Sequence, residues 1–179
     1  MIIKENKSDF ESYIIDAANV KGNCRAVYIP ESEEELCNLI KKFNSKGEKI
    51  TISAGRTGLN SGAVPNEGVL VSLERMNKIL EINTNSKYAV VEAGVILEDF
   101  QNEVEKLNLF YPPDPTETNC TIGGTVANNS SGARTFKYGP TRNYVEEITV
   151  IIPNGERLVL ERGKPVSYTH LTLPTKRIV

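Results

Sequence analysis

Apolar and polar positions change period several times along the chain, and each change predicts an element. "AVYIP" (Ala26 to Pro30) is a short unbroken apolar run, the pattern of a buried strand. In "ESEEELCNLIKKFNSKG" the period shifts: Leu36, Leu39, Ile40 and Phe43 fall at i, i+3, i+4 and i+7 and predict one face of a helix. Ser32 followed by Glu35 has the spacing of a capping box, and Gly47 suits the C′ position. "KITIS" (Lys49 to Ser53) predicts the next strand. Strand, helix and strand together form a βαβ unit whose two strands are expected to be parallel and adjacent. "GVLVSL" (Gly68 to Leu73) predicts a third strand, and "KILEIN" and "YAVVEAG" flank the polar turn Asn83 to Lys87 as an antiparallel hairpin. In "VILEDFQNEVEKLN", Leu97, Phe100, Val104 and Leu107 share a helical face. In "EEITVIIPNGERLVL", Ile148, Val150 and Ile152 alternate around an Asn154-Gly155 turn, which predicts a second hairpin. The first half thus alternates β and α while the second is rich in hairpins. The expected fold class is α+β with two small lobes, a parallel βαβ lobe over residues 1–74 and a hairpin-rich lobe over 75–165.

Composition narrows the function. A chain of 179 residues can bury one real core and is marginal for two. The 21 basic and 23 acidic residues leave a net charge of −2, which argues against a general nucleic-acid binder with a basic face. No run approaches the roughly 18 apolar residues of a membrane span. "MIIKENKSDF" is too polar for a secretory signal. Cys24, Cys37 and Cys120 are odd in number and widely spaced, so neither a disulfide framework nor a metal site is expected. A reducing, cytoplasmic setting fits them.

Two glycine-rich stretches carry the candidate chemistry. "ISAGRTGLNSGAVP" (Ile52 to Pro65) begins as a predicted parallel strand ends, where open α/β sheets place ligands. Its glycines let backbone N–H groups converge as an anion nest, with Thr57 and Asn60 as added donors. The plainer alternative is a surface loop that turns sharply. The spacing matches neither a dinucleotide fingerprint nor a P-loop. "TIGGTVANNSSGA" (Thr121 to Ala133) places Gly123 and Gly124 where a short helix can begin. Helix starts carry free N–H groups that bind phosphate; alternatively Thr121 simply caps the helix. Two nests suggest two phosphates, or one pyrophosphate held from both sides. Between the two stretches, "YPPDPTETNC" is stiffened by Pro112, Pro113 and Pro115, and reads as a ligand wall or a connector. Arg134, Lys137 and Arg142 could steer an anion or be ordinary solvated charges. Tyr111 and Tyr138 could stack on a ring or pack in the core.

The order of "ISAGRTGLNSGAVP", "VLVSLERMNKILEIN", "AVVEAGV", "LFYPPDPTE", "TIGGTVANNSSGARTFKYGPTR" and "ITVIIPNGE" resembles FAD-linked oxidases with a PCMH-type FAD-binding domain, in the vanillyl-alcohol oxidase superfamily. The branch that holds glycolate oxidase and D-lactate dehydrogenase is the most similar. The resemblance covers Ser12 to Glu161. It implies FAD held between two α+β lobes. Ala54, Gly55, Arg56, Thr57, Gly58, Leu59, Asn60 and Gly62 would contact the pyrophosphate from the first lobe. Pro113, Asp114 and Thr116 would line the wall near the flavin, and Thr121, Gly123, Gly124, Ala127, Asn128, Ser131 and Gly132 would complete the pyrophosphate and flavin contacts. With no His in either stretch, and Cys120 outside the attachment positions the resemblance implies, the FAD is expected to be non-covalent.

The resemblance also implies a considerably longer protein, in which a further domain contacts the small-molecule substrate. The FAD-binding domain is then truncated at its C-terminal end, and this fragment alone is expected to be inactive. Oxidation of a 2-hydroxy acid such as D-lactate or glycolate is implied, with electrons passing to an acceptor protein or a quinone. The catalytic base is unassigned. Localisation is expected to be cytoplasmic, with peripheral inner-membrane association open for the longer protein. Alternatives are the FAD domain of an alkyl-glycerone-phosphate synthase or aromatic-alcohol oxidase, or a non-catalytic nucleotide-binding module. "VSYTHLTLPTKRIV" (Val166 to Val179), which holds the lone His170, departs from the family pattern and reads as a non-native tail, or else as a variable loop.

Overall fold

The computed structural model describes residues 1–164; the expectations for the tail and His170 lie outside them. The elements run β1 (Ile2–Lys4), α1 (Lys7–Phe10), β2 (Ala26–Ile29), α2 (Glu33–Asn44), β3 (Ile50–Ser53), β4 (Val69–Ser72), β5 (Ile79–Asn83) and β6 (Tyr88–Val91). There follow α3 (Leu97–Lys106), α4 (Ile122–Ala127), α5 (Thr135–Tyr138), β7 (Glu147–Ile151) and β8 (Arg157–Glu161). β1 was not foreseen: it pairs antiparallel with β2, aligning Ile3 with Tyr28.

The first sheet has the order β1-β2-β4-β3. β2 and β3 both run parallel to β4, as expected, but they are not adjacent. β4 lies between them, and burial gives the reason. Val69, Leu70, Val71 and Ser72 are all inaccessible, which suits a central strand covered on both faces. β3 is only partly covered and leaves Ile52 45% exposed, which suits an edge.

α2 covers one face of this sheet. Leu36, Leu39, Ile40 and Phe43 pack on Ala26, Tyr28, Val69 and Val71, with the Tyr28 and Phe43 rings edge to face at 4.9 Å. Phe10, Ile14 and Cys24 cover Val27, Ile29 and Leu70 on the other face. The start of α2 forms a modified capping box: Glu35 N–H donates to Ser32 Oγ at 3.2 Å, but the Glu35 carboxylate reaches Glu31 N–H, one residue further back. At its end, Glu48 N–H reaches Phe43 O and Gly47 N–H reaches Asn44 O. That is a Schellman pair with Gly47 at C′, φ +64°.

β5–β6 and β7–β8 are separate antiparallel ribbons. A second core gathers Val95, Leu97, Phe100, Val104, Cys120 and Ile122 with Ile79, Ile82, Ala89 and Val91 of the first ribbon. Leu107 does not join its predicted face: it sits one residue past α3 and is 44% exposed. The β7–β8 ribbon docks back on α2, where Ile151 meets the first core and Arg157 pairs with Glu33 at 3.0 Å. Gly155, φ +81° at the ribbon turn, lies against Cys37 O and Lys41. The two cores join where Gly94 N–H donates to Met76 O at 2.7 Å and Glu92 N–H to Lys78 O at 2.9 Å.

Candidate functional site

The Ala54–Pro65 loop leaves the C-terminal end of β3 and begins against the second glycine stretch. A Cβ on Gly55 would stand 3.2 Å from Asn119 O and 3.5 Å from Thr121 N. Arg56 and Ser61 hold positive φ, +56° and +59°, which costs non-glycine residues strain. Between these two residues the chain is open. Among the described residues, the N–H groups of Thr57, Gly58, Leu59 and Asn60 have no protein acceptor. Gly58 meets only Asn60 Oδ1, at 3.6 Å from a built Cβ, and needs no left-handed φ. Nothing in the fold calls for glycine there. Glycine leaves room for a ligand there, and four consecutive donors without a protein acceptor among the described residues suit an anion.

The Arg56 side chain turns away from this nest. Its Nη1 donates to Ala54 O at 2.7 Å and lies 3.4 Å from Glu74 Oε2, and its guanidinium stacks over the Tyr13 ring at 4.6 Å. Tyr13 O–H donates to Glu74 Oε1 at 2.5 Å. Burial, reinforced by Glu74, pushes the Tyr13 phenol up to about 12. Arg56 and Glu74 line one side of a cleft of about 310 Å³. Of the expected site residues, Ala54, Gly55, Arg56 and Thr121 line the cleft; Glu74, Asn77, Gly94, Ile96 and Asn119 also line it and were not foreseen. The signal for Glu74 and Asn77 was present, since "LERMN" leaves the end of parallel strand β4 as the glycine loop leaves β3.

The second stretch is built differently. Thr121 caps α4, accepting from Gly124 N–H at 3.3 Å. The next donors are also taken, Ile122 N–H by Val95 O and Gly123 N–H by Ala93 O, both at 2.8 Å. The expectation of free N–H groups at this helix start is therefore corrected: they hold α4 to the β6–α3 connection. Gly123 serves that closeness, since a Cβ there would stand 2.7 Å from Ala93 Cβ.

Further along, Ala127 and Asn128 are exposed. Asn128 ties the stretches together, accepting from Asn60 Nδ2 at 3.1 Å and donating to Gly124 O at 2.9 Å. Gly62 N–H is held by Asn60 Oδ1 at 3.2 Å. Gly132 crosses the Pro-rich segment so closely that a Cβ would overlap Asp114 O at 1.6 Å. Asp114 pairs with Arg134 at 3.2 Å, and the carbonyl of buried Pro113 accepts from Gln101 at 2.9 Å. Ser131, Thr116 and Leu59 face solvent. Lys137 lies over the Tyr138 ring and Arg142 is exposed. Tyr111 packs edge-on to Phe100 and Tyr144, at 5.1 and 5.9 Å, and burial pushes its phenol up to about 12. Of its two readings, core packing holds.

An open donor loop at a parallel strand end, preceded by residues that line a cleft and tethered to a second glycine stretch, fits a pyrophosphate-bearing cofactor. Comparison with known proteins names the family: the model described as "FAD binding domain" matches residues 24–161. The chain belongs to the FAD binding domain family. It is 40% identical over 162 residues to a D-lactate dehydrogenase of Anaerostipes hadrus, covering 89% of this chain and 34% of that protein. It is 37% identical over 164 residues to a D-2-hydroxyglutarate dehydrogenase of Xanthomonas citri, covering 90% and 35%. With a glycolate oxidase component of Bacillus subtilis it shares 40% identity over 133 residues, covering 73% and 28%. The chain thus spans about a third of the length of these relatives. The fold matches a solved alkyldihydroxyacetonephosphate synthase with TM-score 0.82 at 22% identity, over 94% of this chain and 34% of that one. A 6-hydroxy-D-nicotine oxidase of Arthrobacter nicotinovorans matches with TM-score 0.80 at 20% identity, over 89% and 35%. At such identities these two likenesses speak for the α+β fold alone.

Proposed function

We propose that this chain is the FAD-binding portion of a flavin-dependent oxidoreductase that oxidises a 2-hydroxy acid such as D-lactate or glycolate. The observation that carries the reading is the run of free N–H groups from Thr57 to Asn60 at the end of β3, around a Gly58 that no packing explains. In this reading the segments 1–74 and 75–165 form two lobes that hold FAD between them, without a covalent bond. Thr57 to Asn60 and Gly62 hold the pyrophosphate. Asn128 fixes Asn60 and so sets how far the loop opens. Pro113, Asp114, Thr116, Ser131 and Gly132 form the wall toward the flavin. Arg56 acts through its backbone, while its guanidinium and Glu74 shape the cleft.

When bound, the flavin supplies an acceptor for the hydride leaving the hydroxy acid. Substrate choice, proton removal and electron delivery to an acceptor protein or quinone would rest on parts of the relatives beyond the matched third. The D-lactate, D-2-hydroxyglutarate and glycolate relatives favour the hydroxy-acid class over an alkyldihydroxyacetonephosphate synthase, which matches at much lower identity.

The test is gel filtration of the purified chain after incubation with FAD. The expected result is flavin absorbance coeluting with folded protein and fully released by acid precipitation. A folded protein that elutes colourless sinks the flavin reading, and flavin retained on the acid precipitate sinks the non-covalent one.

A further inference from the structure

The N-terminal loop from Ile14 to Asn23 lies outside every motif considered so far, yet it grips the glycine loop at both ends. Ala17 N–H donates to Arg56 O at 3.1 Å, where the glycine loop enters its positive-φ turn. Asn23 N–H donates to Pro65 O at 2.7 Å, where it leaves. A Cβ on Gly22 would stand 2.1 Å from that same Pro65 O, so the two loops touch backbone to backbone.

The N-terminal loop is organised by one carboxylate. Asp16 is 7% exposed. Its Oδ1 accepts from Ala18 N–H at 3.0 Å and Val20 N–H at 3.2 Å, and its backbone accepts from Asn19 N–H at 3.0 Å. Its Oδ2 is buried without a partner among the described residues. A carboxylate in such a place is costly, and a neutral turn residue would close an ordinary surface loop more cheaply. The buried carboxylate ties down the N–H groups of Ala18 and Val20, directly after the Ala17 N–H that reaches Arg56.

We propose that Asp16 is a positioning residue for the cofactor loop: by ordering Ala17 to Val20 it holds Arg56 in its strained conformation and keeps the N–H groups of Thr57 to Asn60 turned outward. The proposal rests on the flavin reading for its consequence, but its structural content stands apart from it.

The test compares the full chain with Asp16→Asn, Asp16→Ala and Asp16→Glu, by amide exchange without cofactor and by FAD titration. Asn keeps an acceptor at Oδ1 but turns the buried, unpartnered Oδ2 into an amide donor, so it should fall between the wild type and Ala. Ala removes the acceptor, and Glu keeps the charge but displaces it by one methylene. Both should speed exchange at the Ala17 and Asn23 amides, which bridge to the glycine loop, leave β2 and β4 amides protected, and weaken FAD binding about tenfold, the scale of one charge-assisted hydrogen bond. Should Ala fail to fold, Glu and Asn carry the test. Unchanged exchange at Ala17 and Asn23 in the displaced-carboxylate variant, faster exchange spread evenly through the core, or loss in Asn equal to that in Ala each overturns the proposal. If the wild type takes up no FAD, the flavin reading fails while the exchange pattern still decides the role of Asp16.

Discussion

The two glycine-rich stretches look alike on paper and do opposite things in the fold. At Gly58 a Cβ would meet only Asn60 Oδ1, at 3.6 Å, and the N–H groups of Thr57 to Asn60 have no acceptor among the described residues. At Gly123 a Cβ would run into Ala93, and the N–H groups at this helix start are taken by Thr121, Val95 and Ala93. At Gly58 packing leaves the missing side chain unexplained; at Gly123 the neighbouring Ala93 explains it. A glycine-rich motif is therefore evidence for a ligand only where packing and backbone conformation leave the glycine unexplained.

That contrast is best broken by substitution. The largest effect is expected at Gly58→Asp, which places an anion in the nest. At an effective dielectric constant of about 20, a charge about 5 Å from a phosphate costs about 3 kcal/mol. FAD binding should fall roughly 100-fold or more, while the melting temperature stays near wild type; undiminished binding in a flavin titration would show the loop is not the cradle. Gly123→Ala should do the reverse. Its methyl group meets Ala93, and overpacking of this kind costs about 1–3 kcal/mol, read as a lower denaturant midpoint. A stable Gly123→Ala protein with impaired flavin binding would put a ligand, not packing, at that glycine. The smallest effect is expected at Thr121→Ala, which removes the α4 cap at about 1 kcal/mol, largely restored by Thr121→Ser. Loss of FAD binding in both, with stability unchanged, would return the second stretch to the role of an open nest.

Much of the fold was legible because it is local. The α2 stripe, its Ser32 cap, the Gly47 terminator and the Asn154-Gly155 turn each depend on residues within a few positions of one another, and periodicity reports such neighbours directly. β1 was less legible because three residues carry little pattern, and Leu107 because a helix face says nothing about where the helix stops. The site was legible in part. Ala54 to Asn60 announced themselves by composition, while Glu74, Asn77 and Asn119 reach the cleft only because separate strand ends and turns converge there.

By itself the chain's order of residues settles the identity and limits of most helices and strands, the parallel character of the first sheet, and the family. Tertiary structure alone decides that β4 inserts between β2 and β3, that the Arg56 guanidinium turns to Glu74 and Tyr13, and that the donors at the start of α4 are occupied. The reason is one of range. Helical period, caps and turns follow from steric and hydrogen-bonding rules within a few residues. Strand order and the occupancy of each N–H depend instead on which distant surface buries best against which, and that is set only when the whole core closes.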